Sequence, residues 1–289
     1  MIFNYKASGY DGKSIIDFLN HFKLGKSKIY TLFLDKLIKV NNKDVSRNYI
    51  LKADDIISII ENEEIDFLPD NKKLDIIYED DYLLIVNKPS GLIVHPDDKS
   101  KNGTLCNIVS NYYHKKGYDL SIKYAHRIDI DTSGIIIFCK DMLTQAYMND
   151  IISTHTLERY YLCLVSGYLK DKKGTINLPI GEDRHHKSRR RVSKTGQAAI
   201  THYEVIKEHN GFSKLLVKLE TGRTHQIRVH MSHIGHPLLG DELYGGSMKK
   251  IKRVALHSYL VRFTHPVTNK KIELTKKPPY DLLQLMGDD

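Results

Sequence analysis

Several residue types and patterns are scarce in this 289-residue chain, and each shortage narrows the class of protein. Cysteine occurs three times, at Cys106, Cys139 and Cys163, without any C-x-x-C pair. Such usage argues for reduced thiols in a cytoplasmic protein rather than for a disulfide framework. No apolar run approaches the roughly 18 residues that a membrane span needs, and no glycine-rich phosphate loop is present. We therefore expect a cytoplasmic protein that does not enter a membrane and that binds no nucleotide cofactor.

Positive charge, in contrast, is plentiful and unevenly distributed. The formal net charge is +9, and a basic run extends from Arg184 to Lys194 without an acidic residue inside it. Glycines and a proline on both sides predict a loop between strands. Its positive charges repel one another, so we expect the loop to become ordered when it binds a polyanion. Arg189, Arg190 and Arg191 are the candidate phosphate contacts in this loop. The alternative is a solvated basic loop without a function.

A short polar cluster, His126 to Gly134, combines a cation, two carboxylates, two hydroxyls and a glycine. The apolar run Ile135 to Cys139 follows at once and predicts a buried strand. The cluster therefore lies at the mouth of a strand, where a rigid scaffold can direct side chains into a cleft. The alternative is a strand-entry turn in which Asp and Ser side chains cap backbone groups.

A second polar segment runs from Leu219 to His230 and alternates in a way that is typical of a strand. On that interpretation Arg228 lies on a polar face and can reach a carboxylate across a cleft. A guanidinium beside Asp129 would keep that carboxylate ionised, because an unpaired buried charge is very costly. The alternative for Arg228 is a surface ion pair of little energetic value.

These two segments resemble the H-R-L-D-x-D-T-S-G and L-x-T-G-R-T-H-Q-I-R-V-H signatures of the RluA-type pseudouridine synthases, the type that acts on the large ribosomal subunit. The blocks at 83–96 and 256–268 resemble the opening and closing blocks of the family, so that the resemblance covers residues 72–289. It implies isomerisation of uridine in structured RNA without a metal or other cofactor. It also implies an α+β fold, in which a long bent, mixed, mostly antiparallel sheet carries the cleft.

The resemblance also implies roles for single residues. Asp129 is the nucleophile and Arg228 its partner, while Arg127 fills the place in the stack that the flipped base leaves. The family tyrosine, which packs on uracil, corresponds to Tyr160, with Tyr161 as the rival in the other strand register. Lys88 is expected to be structural.

The first 65 residues have a different pattern and resemble a small S4 RNA-binding domain. Helical spacing begins at Ile15 and again at Ile29, a hairpin turns at Asn41-Asn42, and a closing strand covers 54–60. Lys26 and Lys28, at the start of the second helix, would contact phosphate. The chain has Lys36, Asn42 and Asp54 where S4 sequences usually have glycine. The acidic segment 61–73 predicts a boundary, with domains at 1–65 and 66–289.

Two rival functions remain open at this point. One is a catalytically silent RNA clamp, and the other is a metal-dependent RNA hydrolase that uses His225, His230, His233 and His236. The histidines span a predicted strand and a loop and do not converge as zinc ligands should, so we expect no metal. We expect a monomer whose target is ribosomal RNA rather than transfer RNA.

Overall fold

The computed structural model describes residues 1–61, 67–96 and 102–287. An N-terminal unit contains a four-stranded antiparallel sheet with the strand order β1-β4-β2-β3 and two helices. Its elements are β1 (Ile2–Lys6), α1 (Ile15–His21), α2 (Lys26–Leu34), β2 (Ile38–Val40), β3 (Lys43–Asp44) and β4 (Ile56–Ile60). The predicted helices, hairpin and closing strand are confirmed.

The positions that lack the usual glycine of S4 sequences behave differently from one another. Asn42 has a φ of 63° and Lys36 a φ of 55°, so both occupy the left-handed region. Asparagine tolerates this conformation well, whereas lysine has a small penalty there. Asp54 is not left-handed. The backbone at Asp54 therefore does not need the conformational freedom of glycine.

The remainder of the chain is built on one ten-stranded sheet, whose main order is β10-β13-β14-β9-β15-β8-β6-β5. Every strand pair in it is antiparallel except β15 with β8, which confirms a mixed, mostly antiparallel sheet and an α+β fold. The elements are β5 (Asp75–Glu79), β6 (Leu83–Lys88), α3 (Leu105–Lys116), β7 (Lys123–Tyr124), β8 (Ser133–Cys139), α4 (Met142–Ser153), β9 (Glu158–Ser166), β10 (Lys173–Asn177), β11 (Ile180–Glu182), β12 (Arg190–Val192), β13 (Ile200–His209), β14 (Phe212–Leu219), α5 (Gln226–His233), β15 (Leu256–Thr264), β16 (Lys271–Thr275) and α6 (Tyr280–Met286).

Strand β8 lies in the interior and is buried at every residue, which is why its sequence is a continuous apolar run. The predicted strand is confirmed, and it begins two residues earlier than expected, at Ser133 within the polar cluster. Gly134 at its start allows a close approach to β15, because a Cβ there would lie 2.2 Å from the Ser258 carbonyl oxygen. His257 on β15 then anchors Ser133: its Nδ1 is 2.9 Å from the serine hydroxyl, and its Nε2 is 2.8 Å from the Lys276 carbonyl oxygen.

The N-terminal unit and the large sheet share one apolar core, although their sheets are separate. Tyr5 and Phe18 belong to the same buried cluster as Leu84 and Val86. The Tyr5 hydroxyl also donates a hydrogen bond of 2.6 Å to Asp141, the buried residue that caps the N-terminus of α4. Residues 62–66 of the predicted boundary lie outside the described residues. The division at 1–65 and 66–289 therefore remains a proposal.

We predict that Tyr5→Phe lowers the free energy of unfolding by about 1–3 kcal/mol, because Asp141 loses its tyrosine donor while staying buried. Urea denaturation measures the change. Tyr30→Phe is the matched control, since Tyr30 is 56% exposed on α2. An equal loss in both variants would contradict the assignment of this contact as a stabilising one.

A second prediction concerns acid stability. Burial lowers the pKa of His257 to about 4, so between pH 6.5 and 4 the unfolded chain binds a proton that the folded chain does not. The free energy of unfolding should therefore fall as the pH is lowered through that window, at up to about 1.4 kcal/mol per pH unit from this residue. In His257→Gln the slope should be shallower. His186→Gln, in an exposed turn, should keep the full slope. Urea titrations at pH 7, 6 and 5 measure the slopes, and equal slopes in all three proteins would refute the prediction.

Candidate active site

A cleft of about 980 Å³ opens between the polar cluster after β7 and the segment between β14 and α5. Three of the predicted site residues line it: Arg127, Asp129 and Arg228. Asp131, the second carboxylate of the cluster, does not line it. The side chain of Asp129 is 23% exposed, so it is accessible to a ligand and still enclosed by its loop.

The loop that carries Asp129 is held by its backbone. The Lys88 amine donates to the Ile130 carbonyl oxygen at 2.9 Å and to the Leu92 carbonyl oxygen at 2.6 Å. The Ser90 hydroxyl donates to the carbonyl oxygen of Asp131 at 2.8 Å. Burial lowers the pKa of Lys88 to about 7, against the opposing effect of the two nearby aspartates. Its contacts are those of a structural lysine, as the sequence predicts.

Strand β6 is followed by a Pro-Ser-Gly turn at 89–91, and no second strand forms in residues 92–96. Residues 92–96 are irregular, because their carbonyl groups serve other partners. Leu92 accepts from Lys88, while Ile93 and Val94 accept from Leu105 and Cys106 at the beginning of α3.

Arg228 lies on a helix, and the prediction of a strand from Thr224 to His230 is therefore wrong. The chain turns into α5 at His225, which has a left-handed φ of 59°. The Gln226 side chain oxygen accepts hydrogen bonds from the Thr221 hydroxyl and the Arg223 amide, which stabilises this turn. The polar residues of this segment alternate because each has a separate role, either in stabilising the turn or in making a hydrogen bond of its own.

The Arg228 guanidinium connects two carboxylates. Its Nε and Nη2 donate to Asp241 at 2.7 and 2.8 Å, and its Nη1 lies 3.5 Å from Asp129 Oδ2. Burial alone would lower the pKa of Arg228, but Asp241 and Asp129 outweigh that effect and raise it. Its Cζ atom also lies over the Tyr244 ring, 5.0 Å from the ring centroid. The arrangement fixes one edge of the guanidinium and turns another toward Asp129.

His225 lies on the same wall of the cleft as Arg228, across from Asp129, and was not among the predicted catalytic residues. Its Nε2 is 4.0 Å from Asp129 Oδ2, and its Nδ1 is 2.9 Å from the Tyr244 hydroxyl. Burial lowers the pKa of His225, with Asp129 acting in the opposite direction. The Tyr244 hydroxyl accepts a further hydrogen bond from the Arg190 amide at 2.8 Å. A left-handed non-glycine residue beside Asp129 is the kind of strain that occurs at functional sites.

The tyrosine that faces the cleft is Tyr161, and the prediction of Tyr160 is wrong. Tyr161 is 5% exposed and lines the cleft, whereas Tyr160 points to the other face of β9. There Tyr160 lies near Glu158, and its ring is covered by the cations of Lys218 and Arg262 at 5.4 and 5.5 Å. Tyr161 is the rival that the sequence offers in the other strand register.

The loop predicted between strands is confirmed at 183–189, which connects β11 to β12, and the basic run continues into β12. Two of its arginines nevertheless have counter-charges. Arg189 pairs with Asp183 at 2.7 Å and Arg190 with Glu182 at 3.2 Å, two carboxylates directly upstream of the basic residues. Arg191 is exposed. Lys26 and Lys28 are likewise exposed, in the first turn of α2.

The four histidines of the possible metal site make separate contacts. His230 bonds to Thr201 and to the Leu178 carbonyl, and His236 to the Ser166 carbonyl. Within residues 1–61, 67–96 and 102–287, no group of three or more His, Cys, Asp or Glu side chains is arranged to hold a metal ion. Over the same ranges, no helix has the length and apolar character to cross a membrane.

Known proteins resemble this chain over most of its length. Residues 82–233 match the family model of RNA pseudouridylate synthases. The uncharacterised RNA pseudouridine synthase YhcT of Bacillus subtilis is 42% identical, over 91% of this chain and 88% of its own. The ribosomal large subunit pseudouridine synthase D of Haemophilus influenzae is 33% identical, over 91% and 86%. The synthase of the same name from Escherichia coli is 32% identical, over 90% and 85%.

Solved structures agree with these sequence matches. Human RNA pseudouridylate synthase domain containing 1 superposes with a TM-score of 0.60 at 25% identity, over 74% of this chain and 86% of that one. Human RNA pseudouridylate synthase domain containing 4 superposes with a TM-score of 0.62 at 21% identity, over 74% and 92%, which shows the shared fold. The chain belongs to the RNA pseudouridine synthase family, in its RluA-type branch, and is an isomerase.

Proposed function

We propose that the chain isomerises specific uridines of ribosomal RNA to pseudouridine with Asp129 as the nucleophile. The observation that carries this proposal is the placement of Asp129 in the cleft, 3.5 Å from a guanidinium that a second carboxylate holds in position. The reaction breaks the bond between C1′ and N1, rotates the uracil, forms a bond between C1′ and C5, and releases the C5 proton while N1 gains one. Atoms and electrons balance without a cofactor.

Arg228 supports this chemistry by holding the Asp129 carboxylate in place. Its hydrogen bonds to Asp241 remove the rotational freedom that a free arginine has, so the attraction toward Asp129 has a fixed direction. Asp241 is 1% exposed and acts as the anchor of the arginine. An anionic nucleophile in an enclosed cleft needs such a partner.

Tyr161 takes the role that the sequence suggested for Tyr160. It shares the cleft face of β9 and lies close enough to Asp129 for that charge to raise its pKa, although burial is the larger cause. Its ring can pack on uracil, and its phenol can assist removal of the C5 proton.

The target base must leave its helix before it can enter the cleft, at a cost of a few kcal/mol. Arg127 is exposed at the cleft and is the side chain that we expect to fill the vacated place. Exposed Lys26, Lys28 and Arg191 are the expected phosphate contacts elsewhere, with residues 1–65 acting as an S4-like RNA-binding unit. Because of their ion pairs, Arg189 and Arg190 should contribute less than Arg191. The names of the ribosomal relatives favour ribosomal over transfer RNA as the target.

The proposal predicts that Asp129→Asn reduces turnover to background while RNA binding survives. The amide keeps the size of the side chain but lacks the charge that attacks. Tritium release from C5-labelled uridine, at saturating ribosomal RNA, measures turnover. Asp131→Asn is the matched control in the same loop and should retain most activity, since Asp131 does not line the cleft. Turnover like that of the wild type in the Asp129 variant would reject the proposal, and release from transfer RNA alone would reassign the target.

Two adjacent tyrosines provide a second prediction. Tyr161→Phe keeps the packing surface and removes the hydroxyl, so kcat should fall by about 10²–10⁴ if the phenol transfers the C5 proton. Tyr160→Phe, on the opposite face of the same strand, should leave kcat unchanged. Single-turnover tritium release separates the two. A loss of kcat in Tyr160→Phe, with kcat unchanged in Tyr161→Phe, would assign this role to Tyr160 instead.

A further inference from the structure

Arg159 presents a problem that the proposed mechanism does not solve. It lies on β9, two residues before Tyr161, lines the cleft and is only 5% exposed. Its Nε has no hydrogen-bond partner. Among the described residues, no carboxylate forms an ion pair with its guanidinium, in contrast to Arg228 in the same cleft.

A buried, unpaired charge destabilises a folded protein, and arginine is almost never fully buried without a partner. The surroundings nevertheless accommodate this one. Gly222 faces the guanidinium, and a Cβ at that position would lie 3.1 Å from Arg159 Nη1. A larger residue there would press on the guanidinium. The cleft thus leaves room around a cation that the folded chain does not neutralise.

A second polar group without a partner lies nearby. His126 is 7% exposed and lines the same cleft, and neither ring nitrogen has a hydrogen-bond partner. Burial, with the charge of Arg159 as a smaller cause, lowers the pKa of His126 to about 3. The imidazole is therefore neutral and can donate one hydrogen bond from an N–H. Unsatisfied buried groups in a native structure call for an explanation, and two in one cleft point to a missing ligand.

We propose that Arg159, assisted by His126, binds a backbone phosphate of the RNA next to the flipped uridine. This inference rests on the proposed function and adds a positioning residue to it. A phosphate supplies the negative charge that the guanidinium lacks, and its oxygens accept from both side chains. A uracil carbonyl would accept a hydrogen bond but would leave the buried charge unneutralised. When the RNA strand is held at this phosphate, its flipped nucleotide lies against Asp129 and Tyr161.

Two measurements test the proposal together. The first is the affinity for a ribosomal RNA transcript as a function of salt concentration. Arg159→Gln should weaken binding by about tenfold or more and reduce the salt slope by about one unit. Arg159→Lys, which keeps the charge, should restore the slope. Arg262→Gln is the matched control, because Arg262 lies on the adjacent strand β15 with a 45% exposed side chain that faces away from the cleft.

The second measurement is the melting temperature of the free protein. Arg159→Met removes a charge without a partner and should raise Tm, whereas a structural arginine would lower it on removal. A weakened affinity with an unchanged salt slope would overturn the proposal in favour of a contact to the base. A lower Tm with unchanged affinity would overturn it in favour of a structural role. Because neither readout needs turnover, a wild-type protein that releases no tritium would reject the proposed function and leave this test intact.

Discussion

The buried pair of Arg228 and Asp241 is the interaction on which the candidate site depends. Removing one partner of such a pair leaves an uncompensated buried charge, which costs several kcal/mol. Here the cost would also be functional, because the same guanidinium extends toward Asp129. The pair therefore fixes a cation whose free edge attracts the proposed nucleophile. Tyr244 covers the guanidinium of Arg228 and contacts His225. The wall of the cleft that faces Asp129 is therefore held together by these residues.

The loop that carries Asp129 is positioned by a different principle. Lys88, Ser90 and Gly91 bind its backbone carbonyl groups and leave its side chains uncommitted. A loop that is held through its backbone can direct Asp129 into the cleft without using that carboxylate for its own support. Arg228 then acts on the side chain from across the cleft. The two sources of order are independent, since β6 carries one and α5 the other.

Much of this could be predicted from the sequence where the signal is local. The apolar run of β8 and the capped helices α3 and α4 are defined by neighbouring residues, and so is the position of Asp129 at the mouth of a strand. The errors arose where the decision is not local. Four alternating polar residues fit a strand as well as the beginning of α5, and only the contacts of Gln226 decide. Whether Tyr160 or Tyr161 faces the cleft depends on how β9 packs between β14 and β15. The placement of Arg159 and His126 in one cleft likewise brings distant segments together, for which a single sequence has no signal.

The Tyr244 hydroxyl has a wider consequence, because it receives the Arg190 amide and contacts His225 at once. The exposed hairpin of β11 and β12 is thereby connected through hydrogen bonds to the wall that faces Asp129. A displacement of β12 has to be absorbed at Tyr244 or passed on to a histidine whose backbone is already left-handed. One phenol oxygen therefore links the backbone of the basic hairpin to the side chain that faces Asp129.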